Sequence, residues 1–448
     1  MPVETVLLFV FGVVIFIIGL VISVALHELG HLSFAKLFGV RVSQYMVGFG
    51  KTLWSFKRGE TEYGIKAVLL GGYISMAGMF PPRKTADGEI AQQDDTRNRA
   101  FFRAVVQDAR DASAATMDGT DESRAFYNAT PWKRIIIMVA GPFMNLLIGI
   151  AITAVLICGF GAPVATIGTV GACVPTDPAG TSKCLSTDAP SPAKVAGLKK
   201  GDVLISVKGV EDPSTAQATA LIQQSANQPI TLVVLRDGHK LTITTTPVKV
   251  KRNLLDSSGV QESTTEGQPI VSSLGAIGVG LGDSLIPRPI TAVLPTAGAQ
   301  VGSTFAALGK LPTNLVGVWN AVFTSAPRAP GSPVSVVGVG RAIGTVSSMT
   351  GVPVKDKVYT ILGLLASLNF ALFALNMLPL LPLDGGHVVG ALWEMIRNAF
   401  ARLFGRRKPG PVDIARAMPI TYVVVVIFVA MSALLIVADL IKPVSLTG

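Results

Sequence analysis

The chain has 448 residues, of which 50% are hydrophobic and 15% are charged, and its formal net charge is +10. This balance excludes an ordinary soluble protein of this size and is typical of a protein with several membrane spans. No basic patch is interleaved with aromatic residues, so no nucleic-acid partner is expected.

The first predicted element is an apolar run, Val6 to Leu26, that is long enough to cross a bilayer. It begins without a positive charge and has no small-residue cleavage site, so we expect it to be retained. An H-E-x-x-H motif, His27 to His31, ends the run. On a helix His27 and His31 share a face and can bind one metal, with Glu28 placed to take a proton from metal-bound water. A chance match at a solvated helix end is the alternative, and ionisable groups at membrane depth argue against it.

Three further apolar stretches predict three more membrane-spanning helices. They cover about Arg134–Phe160, Tyr359–Leu380 and Met418–Leu440. Basic residues flank the loops 32–133 and 384–416, which the positive-inside rule places in the cytoplasm. Both termini and the 161–357 loop are then expected outside.

A third metal ligand is predicted where the third apolar stretch ends. Asp384 follows that stretch directly, beside Gly385 and Gly386, on the same side of the membrane as His27. Two histidines and a carboxylate would give zinc three protein ligands. An ordinary turn at a helix end is the alternative, because Asp and Gly favour turns. His387 is a competing ligand, ranked below Asp384 as a residue that supports the site or only packs.

These motifs together resemble the site-2 protease family of intramembrane zinc metalloproteases, and within it the bacterial regulator-of-sigma-E protease branch. Pro382 stands two residues before Asp384, where family members often have a proline three before, which puts the geometry of that turn in question. The matching segments are His27 to His31, Val47-Gly48-Phe49-Gly50, Tyr63-Gly64-Ile65, Leu70 to Tyr73, Ala140-Gly141-Pro142 with Asn145, and Asn376 to Gly385.

The resemblance implies hydrolysis of peptide bonds within or next to transmembrane segments. It assigns Zn²⁺ to His27, His31 and Asp384, the acid/base role to Glu28, and the positioning of substrate or oxyanion to Asn376. A membrane-associated β-hairpin around Val40 to Tyr73 would capture the unwound substrate by strand addition, and a plain surface hairpin is the alternative. The implied partners are the lipid bilayer and single-span proteins such as anti-sigma factors or signal peptide remnants, with an upstream site-1-type protease. The implied location is the bacterial inner membrane.

The outer loop contains a pattern that resembles a bacterial PDZ domain, placed at about 164–250. It runs from Ser191 to Ile205, followed by a helix near Ser214–Ser225 and strands at Ile230–Leu235 and Leu241–Thr246 joined by an Asp-Gly turn. A small β-rich domain that only packs on the membrane part is the alternative. The resemblance implies a filter that admits substrates whose outer part has been trimmed.

Three cysteines fit this topology. Cys173 and Cys184 lie in the outer loop, where a disulfide and two free thiols are both open alternatives. Cys158 falls within the second span and is expected only to pack.

The predicted fold class is a polytopic α-helical membrane protein with four transmembrane helices, a membrane-associated β-hairpin region and an inserted extracytoplasmic α+β PDZ domain. A catalytically inactive PDZ-bearing adaptor is the main competing function, and a transporter is the second. The full set of His27, Glu28, His31 and Asp384 disfavours a decayed site, and the scarcity of other charges within the spans disfavours a transporter. The predicted segments are 1–80 (first span and hairpin), 81–133 (cytoplasmic loop), 134–163 (second span), 164–250 (PDZ domain), 251–357 (linker and interfacial helices), 358–383 (third span), 384–416 (Asp384 motif and loop) and 417–448 (fourth span).

Overall fold

The computed structural model describes most of the chain, and the described residues form two compact units. The first unit comprises Met1–Thr153 with Val293–Val444, and the second is Ala154–Ala292. Parts of the predicted loop 81–133 and of the segment 251–357 lie outside the described residues. Those described are 3–81, 101–117, 121–175, 184, 189–253, 271–324, 328, 331–406 and 410–443.

Among the described residues, four helices are long and apolar enough to cross a membrane, and they coincide with the four predicted apolar stretches. The third of them ends at Asn376 rather than at Leu380, because Pro379 disfavours the helical conformation of the residue before it. The four are α1 (Val3–Leu37), α3 (Pro131–Ala154, continued by a π-helical turn to Phe160), α9 (Val354–Asn376) and α11 (Met418–Ile441).

These helices expose many large apolar side chains, whose contact with water would be energetically unfavourable. Phe11 and Ile18 on α1, and Ile427 and Val429 on α11, are each more than half exposed. A contiguous apolar surface of this kind is covered by lipid in a membrane protein. The chain is therefore a membrane protein that also contains β strands.

The β region of the first unit is formed by β1 (Val42–Arg58) and β2 (Thr61–Met76), which pair antiparallel. Residues 44–47 pair with residues 72–75 and also with residues 62–65, so the two long strands fold back on themselves. Gly48 makes the bend with a φ of 97°, where an added Cβ would lie 2.8 Å from the Val68 carbonyl oxygen. The Tyr45 hydroxyl donates a hydrogen bond to the Ala25 carbonyl oxygen (2.7 Å), which fastens the sheet to α1.

Shorter helices complete the first unit around the spans. One buried cluster joins α1 to two neighbouring helices through Phe16, Leu20, Ile343, Val346 and Leu365. The shorter helices of the first unit are α2 (Phe101–Ala115), α6 (Val293–Gly309), α7 (Leu311–Phe323), α8 (Val336–Ser348) and α10 (Asp384–Leu403).

The second unit is built on an antiparallel sheet with two short helices. The sheet order is β10-β3-β4-β6-β7, with β5 beside β4, while β8 and β9 form a separate pair. The elements are β3 (Ala162–Val170), α4 (Pro192–Val195), β4 (Val203–Val207), β5 (Val210–Glu211), α5 (Thr215–Gln223), β6 (Ile230–Arg236), β7 (His239–Thr245), β8 (Val248–Asn253), β9 (Val271–Ala276) and β10 (Val279–Ile286).

The local predictions for this unit are confirmed. A capping box between Ser214 and Gln217 begins α5, and Asp237-Gly238 joins β6 to β7 with φ angles of 50° and 83°. The unit extends beyond 164–250, because β10 pairs with β3 along its length. A disulfide joins Cys173 to Cys184, which decides between the two alternatives, and Cys158 is free.

Candidate metal centre

The two histidines of the H-E-x-x-H motif point at one carboxylate. His27 and His31 lie one turn apart on α1, and their Nε2 atoms are 3.2 Å apart. Asp384 is the first residue of α10, and its Oδ2 lies 3.4 Å from each of these nitrogens. The structure thus brings together the three predicted metal ligands from distant parts of the chain.

The spacing of these three atoms fits zinc. Zinc–ligand bonds of about 2.0–2.1 Å in a tetrahedral arrangement place neighbouring ligand atoms about 3.4 Å apart. The three observed separations, 3.2, 3.4 and 3.4 Å, form such a triangular face. Three protein ligands of this kind are the set that catalytic zinc sites use, with the remaining position open.

Asp384 is held in place by a tight turn between α9 and α10. The turn contains a cis peptide bond between Leu381 and Pro382. A Cβ on Gly385 would overlap the Leu378 carbonyl group, and one on Gly386 would lie 2.7 Å from the Leu381 nitrogen. The two glycines therefore let the chain pack closely enough to direct Asp384 toward α1.

Helix α3 contacts the Nδ1 atoms of both histidines, whose Nε2 atoms face Asp384. The His31 Nδ1–H donates to the Ile137 carbonyl oxygen (2.7 Å), and His27 Nδ1 lies 3.2 Å from Nδ2 of Asn145. Between these contacts, a Cβ on Gly141 would overlap the His31 ring. In the sequence, Gly141 and Asn145 belong to a motif that resembles one of the family's, and their spacing of four residues is the signal that places them on one face of a helix.

All five predicted site residues line one cavity of about 320 Å³. Glu28 lies beside the strand β2, where a Cβ on Gly72 would be 2.9 Å from its Cγ. Asn376 lines the same cavity from the end of α9. The lining residues are His27, Glu28, His31, Gly72, Tyr73, Ile74, Met76, Met79, Met138, Asn376, Pro382, Asp384 and His387.

His387 shares this cavity but does not belong to the three-atom cluster. Its ring lies 6.4 Å from that of Phe80 and 6.5 Å from that of Phe126. Burial lowers the pKa of the His387 imidazole to about 4, so the ring is neutral at physiological pH. The ring lies near two aromatic side chains beside the cluster of His27, His31 and Asp384.

Comparison with known proteins identifies the family of the chain. The model of peptidase family M50 matches residues 15–407. The chain belongs to this family. The zinc metalloprotease Rip1 of Mycobacterium tuberculosis is 34% identical over 451 residues, covering 98% of this chain and 100% of the relative. The metalloprotease MmpA of Caulobacter vibrioides is 28% identical over 401 residues, covering 85% of each chain. The zinc metalloprotease RasP of Bacillus licheniformis is 25% identical over 431 residues, covering 86% of this chain and 91% of the relative.

Family membership confirms the predicted class of activity and the predicted metal. The protein is a membrane-embedded zinc metalloprotease of the site-2 protease type. The hypotheses of an inactive adaptor and of a transporter therefore lose their support.

Proposed function

We propose that His27, His31 and Asp384 hold the zinc ion and that Glu28 is the general base. This proposal rests on the triangle formed by His27 Nε2, His31 Nε2 and Asp384 Oδ2, whose sides are 3.2–3.4 Å long. Zinc held there would lower the pKa of a bound water and polarise the scissile carbonyl. Glu28 lines the same cavity as the three ligands, so its carboxylate would accept the proton of the attacking water and deliver it to the leaving amine.

The substrate is held as an extended strand against β2. Residues 72–75 pair with residues 44–47 on one side, and Gly72, Tyr73 and Ile74 line the cavity. A helical substrate must unwind before attack, because its carbonyl groups are otherwise bound within the helix. Strand addition replaces those lost hydrogen bonds, and Asn376 positions the extended segment or the oxyanion.

The second unit acts as a PDZ-type filter for substrates that have lost their outer part. Its antiparallel sheet with α5 packed against it supports the PDZ assignment. A cavity of about 590 Å³ runs between α5 and the β9–β10 segment, with Cys173 and Cys184 in its wall. An extended peptide beside a strand and a helix is the mode of PDZ recognition.

The protein works in the bacterial inner membrane on single-span substrates, such as anti-sigma factors or remnant signal peptides. The basic loops 32–133 and 384–416 face the cytoplasm, and both termini and the second unit lie outside. The metal centre is then near the cytoplasmic side. An upstream site-1-type protease supplies the trimmed substrate.

The test is cleavage of a tagged single-span substrate by the purified, detergent-solubilised protein. Wild type, Glu28→Gln and Asp384→Asn are compared, with zinc content measured on each. We expect Glu28→Gln to keep zinc and lose cleavage, and Asp384→Asn to lose both. Zinc-loaded Glu28→Gln that cuts like wild type would refute the role of Glu28. Folded wild type without zinc or cleavage would favour the adaptor function.

A further inference from the structure

One face of α3 meets the two metal-binding histidines at matched intervals. Ile137, Gly141 and Asn145 are spaced by four residues on α3, as His27 and His31 are on α1, so each set forms a stripe along its helix. The stripes run in opposite directions, with the Ile137 carbonyl and Gly141 at His31 and Asn145 at His27. Asn145 is therefore the only side chain of this α3 stripe that offers a polar group to a histidine.

The His31 contact shows what a metal-binding histidine needs on its far side. Its Nδ1–H donates to the Ile137 carbonyl oxygen (2.7 Å), which leaves the Nε2 lone pair free for a metal. His27 likewise requires a proton on Nδ1 and a free lone pair on Nε2, since its Nε2 also faces Asp384. A donor opposite His27 Nδ1 would instead place the ring proton on Nε2 and block metal binding.

Asn145 has the acceptor that His27 needs. Its side chain is only 1% exposed, and Oδ1 is a buried oxygen without a hydrogen-bond partner among the described residues. Its Nδ2 lies 3.2 Å from His27 Nδ1. Rotation of the amide by half a turn exchanges oxygen and nitrogen in nearly the same space. That rotation gives Oδ1 a partner and makes Asn145 the acceptor for His27 Nδ1–H.

We propose that Asn145 is a positioning residue that accepts a hydrogen bond from His27 Nδ1–H and so fixes the metal-binding form of His27. This inference rests on the proposed function, in which His27 is a zinc ligand. Asn145 touches neither the cavity wall nor the other two ligands in the described contacts. Its effect is therefore on metal affinity rather than on substrate contact.

The test is zinc affinity of the full-length, detergent-solubilised protein, measured by competition with a chromogenic zinc chelator. Asn145→Leu keeps the shape but removes the acceptor, and we expect zinc affinity to fall about 10- to 100-fold. Asn145→Asp keeps an acceptor and cannot donate, so we expect wild-type or tighter affinity. Asn369→Leu is the matched control, because that amide is equally buried, at 1% exposed, and among the described residues it donates to the Leu365 carbonyl of its own helix α9.

Two results would overturn the proposal: wild-type zinc affinity in Asn145→Leu, or affinity in Asn145→Asp as weak as in Asn145→Leu. Asn145→Ala, which introduces no new bulk, gives the same comparison where Asn145→Leu does not fold. His27→Ala separates this proposal from the proposed function. Wild-type zinc affinity in His27→Ala would refute the ligand set itself. Lost affinity in His27→Ala with full affinity in Asn145→Leu and Asn145→Ala would refute only the role of Asn145.

Discussion

At the scale of single residues, two glycines set how closely α1 and α3 approach at the metal centre. A Cβ on Gly30 would overlap the Ala140 carbonyl oxygen, and one on Gly141 would overlap Nε2 of His31. Helix backbones come this close only where side chains are absent. His31 can therefore occupy this position only because glycine, which has no side chain, stands at position 141.

We expect Gly141→Ala to lose zinc and to destabilise the protein by about 1–3 kcal/mol, the usual cost of overpacking a close contact. The added methyl group displaces the His31 ring from the triangle it forms with His27 and Asp384. Zinc content and the thermal midpoint in detergent are the measurements. Gly363→Ala on α9 is the control, since a Cβ there meets nothing within 4 Å. Equal zinc content in both variants would contradict this account.

The cluster of His27, His31 and Asp384 was predictable from the sequence because each of these residues carries its own signal. His27 and His31 share a helix face, and Asp384 interrupts an apolar stretch. The support from α3 was not predictable, because the spacing of Gly141 and Asn145 is equally common in helices that only pack. Nothing in the sequence points to the carbonyl group of Ile137, since every residue has a backbone carbonyl.

At the scale of elements, a buried ion pair links α3 to α10. Nη2 of Arg134 lies 2.6 Å from Oε2 of Glu394, and both side chains are less than a tenth exposed. Oε2 of Glu394 also accepts the Val412 N–H (2.9 Å). Because α10 begins with Asp384, this pair helps to fix the helix that carries the proposed third metal ligand.

We expect Arg134→Met to destabilise the protein by about 3–5 kcal/mol, because it leaves Glu394 as a buried unpaired charge. The double variant Arg134→Met with Glu394→Leu should recover much of that loss. Thermal midpoints in detergent measure both. Arg124→Met, which breaks the more exposed pair with Glu60, is the control and should cost less than about 1 kcal/mol. A double variant no more stable than Arg134→Met would refute the explanation.

A second ion pair stabilises the Ala154–Ala292 unit. Arg236 donates from Nε and Nη2 to the two carboxylate oxygens of Asp202 (2.7 Å each), and the Lys199 N–H donates to Oδ2 (2.8 Å). Burial alone would raise the pKa of Asp202, but the hydrogen bonds from Arg236 and from Lys199 lower it below its usual value. The bonds therefore favour the ionised carboxylate.

We expect this unit to lose stability as the pH falls below about 4, the ordinary aspartate pKa. The folded-state pKa lies below the unfolded one, so the stabilisation is present at higher pH and is lost as Asp202 takes up a proton. Hydrogen exchange of the β6 amides across pH 3–7 measures it, in the full-length protein. Asp202→Asn should exchange faster at neutral pH and show a weaker pH dependence. Unchanged exchange in that variant would contradict the assignment.

The elements of this unit were predictable where the signal is local. Ser214 with Gln217 begins α5, and Asp237-Gly238 turns between β6 and β7. The pairing of β10 with β3 was not predictable, because the two strands are far apart in sequence and each reads only as a short apolar segment. The place of β10 in the sheet is a property of the packed unit.

At the scale of the whole molecule, the chain combines apolar helices with a unit that contains a disulfide. The spans expose apolar side chains for lipid, while Cys173 and Cys184 are joined in the second unit. Disulfides persist in oxidising compartments. The disulfide supports the proposed extracytoplasmic location of the second unit, and its chemistry gives a test of that proposal.

We expect denatured, unreduced protein from acid-quenched cells to take up one alkylating group, on Cys158, and three after reduction. Mass spectrometry of the labelled chain counts the groups. Cys158→Ser is the control and should give none before reduction and two after it. Three groups without reduction would contradict both the disulfide and the outer location of the unit.

The order of the site residues along the chain has a consequence for biosynthesis. His27, Glu28, His31 and Asn145 precede the Ala154–Ala292 unit, and Asp384 follows it. Chains are synthesised from the N-terminus, and early domains fold first. With the proposed ligand set, a nascent chain in the membrane therefore has His27, His31 and Glu28 but no third ligand until α10 is made. On that assignment proteolytic activity is withheld until α10 has been synthesised, so a chain interrupted before α10 cannot cut its neighbours.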